Sequence, residues 1–181
     1  MNYLSKLISA LTGHQVVIMT TDTVYGLVCS ALSPEAVKRK YAIKQRAGKP
    51  GTIIASSAKQ LVDLGFDSVD VAKANDMFWP GPVSVILTAG ENLEYLHMGK
   101  KSLAVRIPEP QWLNDLLEIT GPLATTSANL PGEPTIKSVY EAKKIFGGKV
   151  DFYFDKGTNN EAKPSKIVKI AEDGTVETLR A

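Results

Sequence analysis

Cysteine and histidine are nearly missing from this sequence: Cys29, His14 and His97 are all that occur in 181 residues. A single thiol excludes an internal disulfide framework, and three such side chains fall short of the usual four ligands of a structural zinc site. A Ser-His-Asp triad would have to use His14 or His97. His14 follows a helix-stopping glycine and His97 stands in a polar stretch, so both read as solvated loop residues. Cys29 lies in an apolar run and reads as a small buried hydrophobe.

Long apolar runs are also missing. Val16-Val17-Ile18-Met19 is strand-sized, far below the roughly 20 residues of a membrane span. The first residues lack the basic start, apolar middle and small-residue cleavage site of a signal peptide. With one cysteine and no leader, the expectation is a cytoplasmic protein. Excess charge is missing too: 21 Lys+Arg against 19 Asp+Glu leave +2, which argues against a polybasic nucleic-acid binder but not against a local patch. No GxxxxGK[ST] loop and no GxGxxG turn is present.

What is present alternates between helix and strand. Leu4, Leu7, Ile8 and Leu11 have helical spacing, and 15–20 and 24–32 read as strands. Ser33-Pro34-Glu35 is a helix start with its cap and first-turn proline, running to about Lys44. Strands are expected at 52–55, 83–88, 102–107, 123–126 and 151–154. Helices are expected at 57–64, 68–78, 111–119 and 138–146. Asp173-Gly174 marks a hairpin between 166–171 and 175–179. The chain reads as one α/β domain over 1–181, with a partly antiparallel sheet.

Small polar and basic residues gather at strand ends and turns, where open α/β folds keep their sites. They are Thr20-Thr21-Asp22-Thr23, Lys44-Gln45-Arg46, Trp79-Pro80-Gly81-Pro82, Arg106-Ile107-Pro108, Thr125-Thr126-Ser127-Ala128-Asn129 and Pro164-Ser165. Singly, each has a plain structural reading as a turn or a helix end. The Trp79-Pro80-Gly81-Pro82 segment reads as architecture, and Tyr25 and Gly26 equally as packing.

In this order, TTDTVYGL, KQR, WPGPVSVIL, LAVRIP, TSANLPGEPT, PSKIV and the closing LR resemble the YrdC-like family, from about Leu4 to Arg180. The resemblance implies a twisted mixed sheet flanked by helices, with a concave basic face. It implies threonylcarbamoyl-AMP synthesis from L-threonine, bicarbonate and ATP. Pyrophosphate is the second product, and a transferase complex then places the threonylcarbamoyl group on an adenosine beside the tRNA anticodon.

By motif position, Lys44, Arg46, Ser127 and Asn129 resemble the catalytic set that holds ATP phosphates. Ser102, Thr135 and Arg180 match further nucleotide positions. Thr21, Arg106, Thr125 and Ser165 match positions around threonine, with Arg106 facing its carboxylate. No protein metal site is implied, and magnesium would arrive on the ATP phosphates.

The sequence departs from the family pattern at Thr20, where proline is usual, and in a loop after Arg46 about one residue shorter than usual. Gly51 stands where an apolar residue is usual, Pro131 where a small hydroxyl residue is, and Lys166 where threonine is. The end just after Arg180 matches the short form of the family. Two other readings stay open: a double-stranded or ribosomal RNA binding module, with weak RNA contact, and carbamoyl-adenylate chemistry on another substrate.

Overall fold

Helix starts in this chain are fixed by polar caps. The computed structural model describes residues 2–45, 48–157 and 163–181. The Asn2 side chain accepts from Ser5 N at 2.7 Å and opens α1 (Tyr3–Thr12). Ser33 caps α2 (Pro34–Lys44), which ends as Gln45 turns left-handed. Ser57 opens α3 (Ala58–Leu64), Asp67 opens α4 (Ser68–Phe78) and Ser138 opens α7 (Val139–Phe146). Each cap oxygen satisfies a backbone N–H that the helix itself cannot pair. The short α5 (Glu94–His97) and α6 (Gln111–Thr120) lack a side-chain cap.

The strands are β1 (Val17–Met19), β2 (Gly26–Ser30), β3 (Thr52–Ile54), β4 (Val83–Thr88), β5 (Ser102–Arg106), β6 (Leu123–Ser127), β7 (Phe152–Phe154), β8 (Lys166–Ile170) and β9 (Val176–Arg180). They form one sheet in the order β7-β1-β2-β6-β3-β5-β4-β8-β9. The β1/β7, β3/β5 and β4/β8 pairs are parallel and the others antiparallel.

Apolar residues alternate between the faces. Val17 and Met19 pack with Val28, Ile54 and Leu123 against Leu7 and Leu11 of α1 and Leu113, Leu116 and Leu117 of α6. Ile18, Leu27, Cys29, Ile53 and Val85 pack on the opposite side with Val37, Leu61, Val71, Leu96 and Phe146. Coverage on both faces explains why the central strands read as unbroken apolar runs.

The expected elements are present with shorter strands at the N-terminal end. The first strand closes at Met19 because the chain turns at Thr21, whose hydroxyl donates to Val24 O at 2.7 Å. α5 was not legible in the sequence, and it corrects the reading of His97. This side chain is buried, with Nε2 3.2 Å from Gly90 O and Nδ1 accepting from Lys101 N at 3.3 Å. It closes the turn between α5 and β5 instead of facing water. His14 is exposed and Cys29 is buried, as expected. Trp79 is architectural, with its buried indole donating to Val83 O at 2.9 Å. No described helix is long and apolar enough to cross a membrane.

Candidate active site

A cavity of about 480 Å³ opens on the sheet face that carries Val28, Ile54 and Leu123. Its floor is made of small residues in register. Gly26 lies opposite Ser127, Thr125 opposite Thr52, Thr52 opposite Ala104, and Ala104 opposite Ile86. Two glycines make close backbone approaches there. A Cβ on Gly26 would stand 2.8 Å from Thr125 Oγ1, and one on Gly51 only 2.4 Å from the Thr125 carbonyl oxygen. The Gly51 N–H donates to the Tyr41 hydroxyl at 2.9 Å. The Gly51 departure is therefore accommodated by the strand-to-strand approach of this chain.

On the β4, β5, β8 and β9 side, a buried polar chain runs along the cavity wall. Arg106, the last residue of β5, donates from Nε to Asp22 Oδ2 at 3.0 Å and from Nη2 to Asp22 Oδ1 at 2.9 Å. Both side chains are almost completely buried, so this bidentate pair is held in a low-dielectric setting. Arg106 Nη1 donates to Ser84 Oγ at 3.0 Å, and Ser84 Oγ lies 2.9 Å from Ser165 Oγ. Arg180 donates to the Ser165 carbonyl from Nε at 3.0 Å and from Nη2 at 2.7 Å, and Nη2 also reaches Ser165 Oγ at 3.2 Å.

Three of the five Arg106 N–H groups are thus engaged by protein, and two make no hydrogen bond to a described residue. The expected partner of Arg106 was an amino-acid carboxylate, and the structure adds Asp22 as its fixed counter-ion. Asp22 and Ser84 are the site residues that motif reading misses. Asp22 carries a signal, as the one acid inside a threonine-rich strand end. Ser84 carries a weaker one, as a hydroxyl inside the apolar run VSVILT.

On the β2 and β6 side, Lys44 fixes the wall from behind. Its ammonium is almost buried and donates to Ser127 O at 2.7 Å, to Asn129 Oδ1 at 2.6 Å and to Asn129 O. The Ser127 hydroxyl donates to Asn129 Oδ1 at 2.7 Å. The Asn129 amide is held in turn by Glu133 O at 2.6 Å and Leu130 O at 3.1 Å. Lys44, Ser127 and Asn129 therefore form one unit, of which Ser127 lines the cavity.

Of the other expected residues, Ser102, Thr21, Thr125, Ser165, Arg106 and Arg180 all line this cavity. Thr135 does not. It lines a neighbouring cavity of about 320 Å³ that shares Thr21, Thr23 and Val24 with the first. That second cavity also holds Tyr25, whose phenol burial and the Asp155 carboxylate push up to about 12, so the hydroxyl keeps its proton at neutral pH. Arg46 lies outside the described residues.

A cation-lined cavity across the middle of such a sheet can be compared with known proteins. The Sua5/YciO/YrdC family model, described as "Telomere recombination", matches residues 9–181. The chain belongs to the Sua5/YciO/YrdC family. Two family relatives are named threonylcarbamoyl-AMP synthase. The one from Pseudoalteromonas translucida is 34% identical over 175 residues, covering 93% of each chain. The one from Photobacterium profundum is 31% identical over 177 residues, covering 92% of this chain and 94% of its own. Among solved structures, Pyrococcus abyssi Sua5 complexed with L-threonine superposes with a TM-score of 0.86 at 29% identity. It matches over 98% of this chain, which spans about half (53%) of that Sua5 chain. The Sua5/YciO/YrdC fold thus extends over the whole described sheet, cavity included.

Proposed function

We infer that this chain is a threonylcarbamoyl-AMP synthase that joins L-threonine, bicarbonate and ATP with release of pyrophosphate and water. The observation that carries the reading is the cavity itself. One wall presents the buried Arg106–Asp22 pair with Ser165 and Arg180, and the other presents Ser127 backed by Lys44 and Asn129. The synthase relatives and the threonine-bound Sua5 support it.

In this reading the threonine carboxylate meets the two remaining N–H groups of Arg106 and the Ser165 hydroxyl. Thr21 and Thr125 line the same cavity, although the Thr21 hydroxyl already donates within its own turn. The threonine amine adds bicarbonate carbon and loses water to form a carbamate. A carbamate oxygen attacks the α-phosphorus of ATP, and the bond to the β-phosphate oxygen breaks. Negative charge builds on the phosphates as this proceeds. Fixed donors and cations stabilise it without reorganising, which is where most of the rate enhancement lies. In this reading Lys44 supplies fixed positive charge from behind Ser127, with Arg46, Ser102, Thr135 and Arg180 assigned to the nucleotide by motif position. No protein nucleophile is required.

Among the described residues no group of three or more His, Cys, Asp or Glu side chains could hold a metal ion. In this reading magnesium arrives on ATP oxygens and water, where it would offset phosphate charge. The adenylate would pass to a transferase acting on the adenosine beside the tRNA anticodon.

The test is pyrophosphate release by the purified chain with ATP. Release should require both threonine and bicarbonate, and Lys44→Ala should slow it about tenfold or more, a loss near 1.4 kcal/mol of transition-state stabilisation. Equal release with threonine omitted would contradict the assignment.

A further inference from the structure

Donor chemistry fixes the direction of the hydrogen bonds that link Arg106, Ser84, Ser165 and Arg180. Arg106 and Arg180 can only donate. Ser84 is completely buried, and its Oγ accepts from Arg106 Nη1 at 3.0 Å. Among the described residues, the only other polar atom that Ser84 Oγ meets is Ser165 Oγ at 2.9 Å. The Ser84 proton therefore goes to Ser165, because a buried hydroxyl donor left unmade is strongly unfavourable. Ser165 Oγ then accepts twice, from Ser84 and from Arg180 Nη2 at 3.2 Å. Both of its acceptor sites are used, and its own O–H has to point elsewhere. Ser165 lines the cavity, so that direction is into the cavity.

We propose that Ser84 is a positioning residue that locks the Ser165 hydroxyl as a donor into the cavity, so that this wall selects a ligand group with two acceptor oxygens. The inference rests on the substrate reading above, in which that group is the threonine carboxylate. Arg106 donates to one carboxylate oxygen and Ser165 to the other. A carboxamide offers one acceptor oxygen and an NH2, so one of the two donors meets an N–H. Removing the Ser84 hydroxyl frees one acceptor site on Ser165, so that its oxygen can accept from the NH2 while its own O–H turns to cavity water. Ser84 touches no ligand in this scheme and acts only through Ser165.

The experiment is titration calorimetry of the full chain with L-threonine and with L-threoninamide. The quantity read is the dissociation constant of the amide divided by that of the acid. The wild-type chain should prefer the acid, and Ser84→Ala should lower the ratio about fivefold or more, the scale of one lost hydrogen bond. Ser84→Cys keeps the shape of the side chain, slightly enlarged, with a much weaker donor and should fall the same way, which covers failure of the alanine variant to fold. Ser165→Ala should lower the ratio equally, and the Ser84→Ala/Ser165→Ala double variant no further. A general loosening of the wall would weaken both ligands together and leave the ratio unmoved. Threonine binding with an unchanged ratio in both Ser84 variants would overturn this inference alone. Absence of threonine binding by the wild-type chain would overturn the substrate reading and the inference with it.

Discussion

Arg106 shows how much of a cavity wall goes into holding one cation still. The guanidinium is buried with its bidentate counter-ion Asp22 and with Ser84, so its position is set before any ligand arrives. A buried pair of this kind adds little to stability against an apolar replacement, but removing one partner strands a charge, at a cost of about 3–5 kcal/mol. Asp22→Asn should therefore lower the melting temperature by on the order of 10 °C. A calorimetric scan showing no loss would mean that Asp22 does not hold Arg106. Motif reading singles out the cavity-lining Arg106, Ser165 and Arg180 but not their support, because Asp22 and Ser84 lie 84 and 22 residues from Arg106. Only the sheet brings them together. Cys29, by contrast, is fully legible: an apolar run around a lone thiol means burial, and burial pushes its pKa up.

At the scale of elements, β9 carries the clearest link between local geometry and the cavity. Its pairing with β8 slips by one residue, so that Val168 faces Thr178 while Ile167 faces Arg180. Side chains alternate along a strand, so the slip sets Arg180 in place of Leu179 beside the cavity-lining Ile167. The hairpin is legible from Asp173-Gly174, but the slip is not, since turn residues do not encode a bulge five residues away. Helix boundaries are legible wherever a capping side chain marks them, as at Ser33, Ser57 and Ser138. α5 spans only four residues, too few to show a helical period, which is why His97 reads wrongly as a loop residue.

Between elements, Asp151 ties α2 to the sheet edge. It pairs with Arg39 and accepts from Val16 N at 2.9 Å, and the Arg39 hydrogen bond is the main cause holding its carboxyl below the usual range. A lowered folded-state pKa gives stability that is complete above the ordinary carboxylate value near 4 and is lost as pH falls through the lowered value. Both side chains are partly exposed, so solvent screening limits the contribution to about 1 kcal/mol or less. Asp151→Asn should melt roughly 1–3 °C lower than wild type at pH 7, with the gap closing as pH falls below the lowered carboxyl value. A gap that stays constant across that range would assign the effect to packing instead of charge.

At the scale of the whole molecule, a net charge of +2 conceals local organisation. Residues from Thr21 to Arg180 meet in one cavity because seven of the nine described strands, β2 to β9 across the sheet, contribute to its floor and rim. The order of the motifs identifies the family, while the arrangement of side chains around the cavity requires the sheet. The most direct test is a crystal structure of this chain with ATP and L-threonine. The expected result is threonine against Arg106 and Ser165, with the ATP phosphates against Ser127 in front of Lys44. Threonine bound away from Arg106, or ATP bound outside this cavity, would contradict the account.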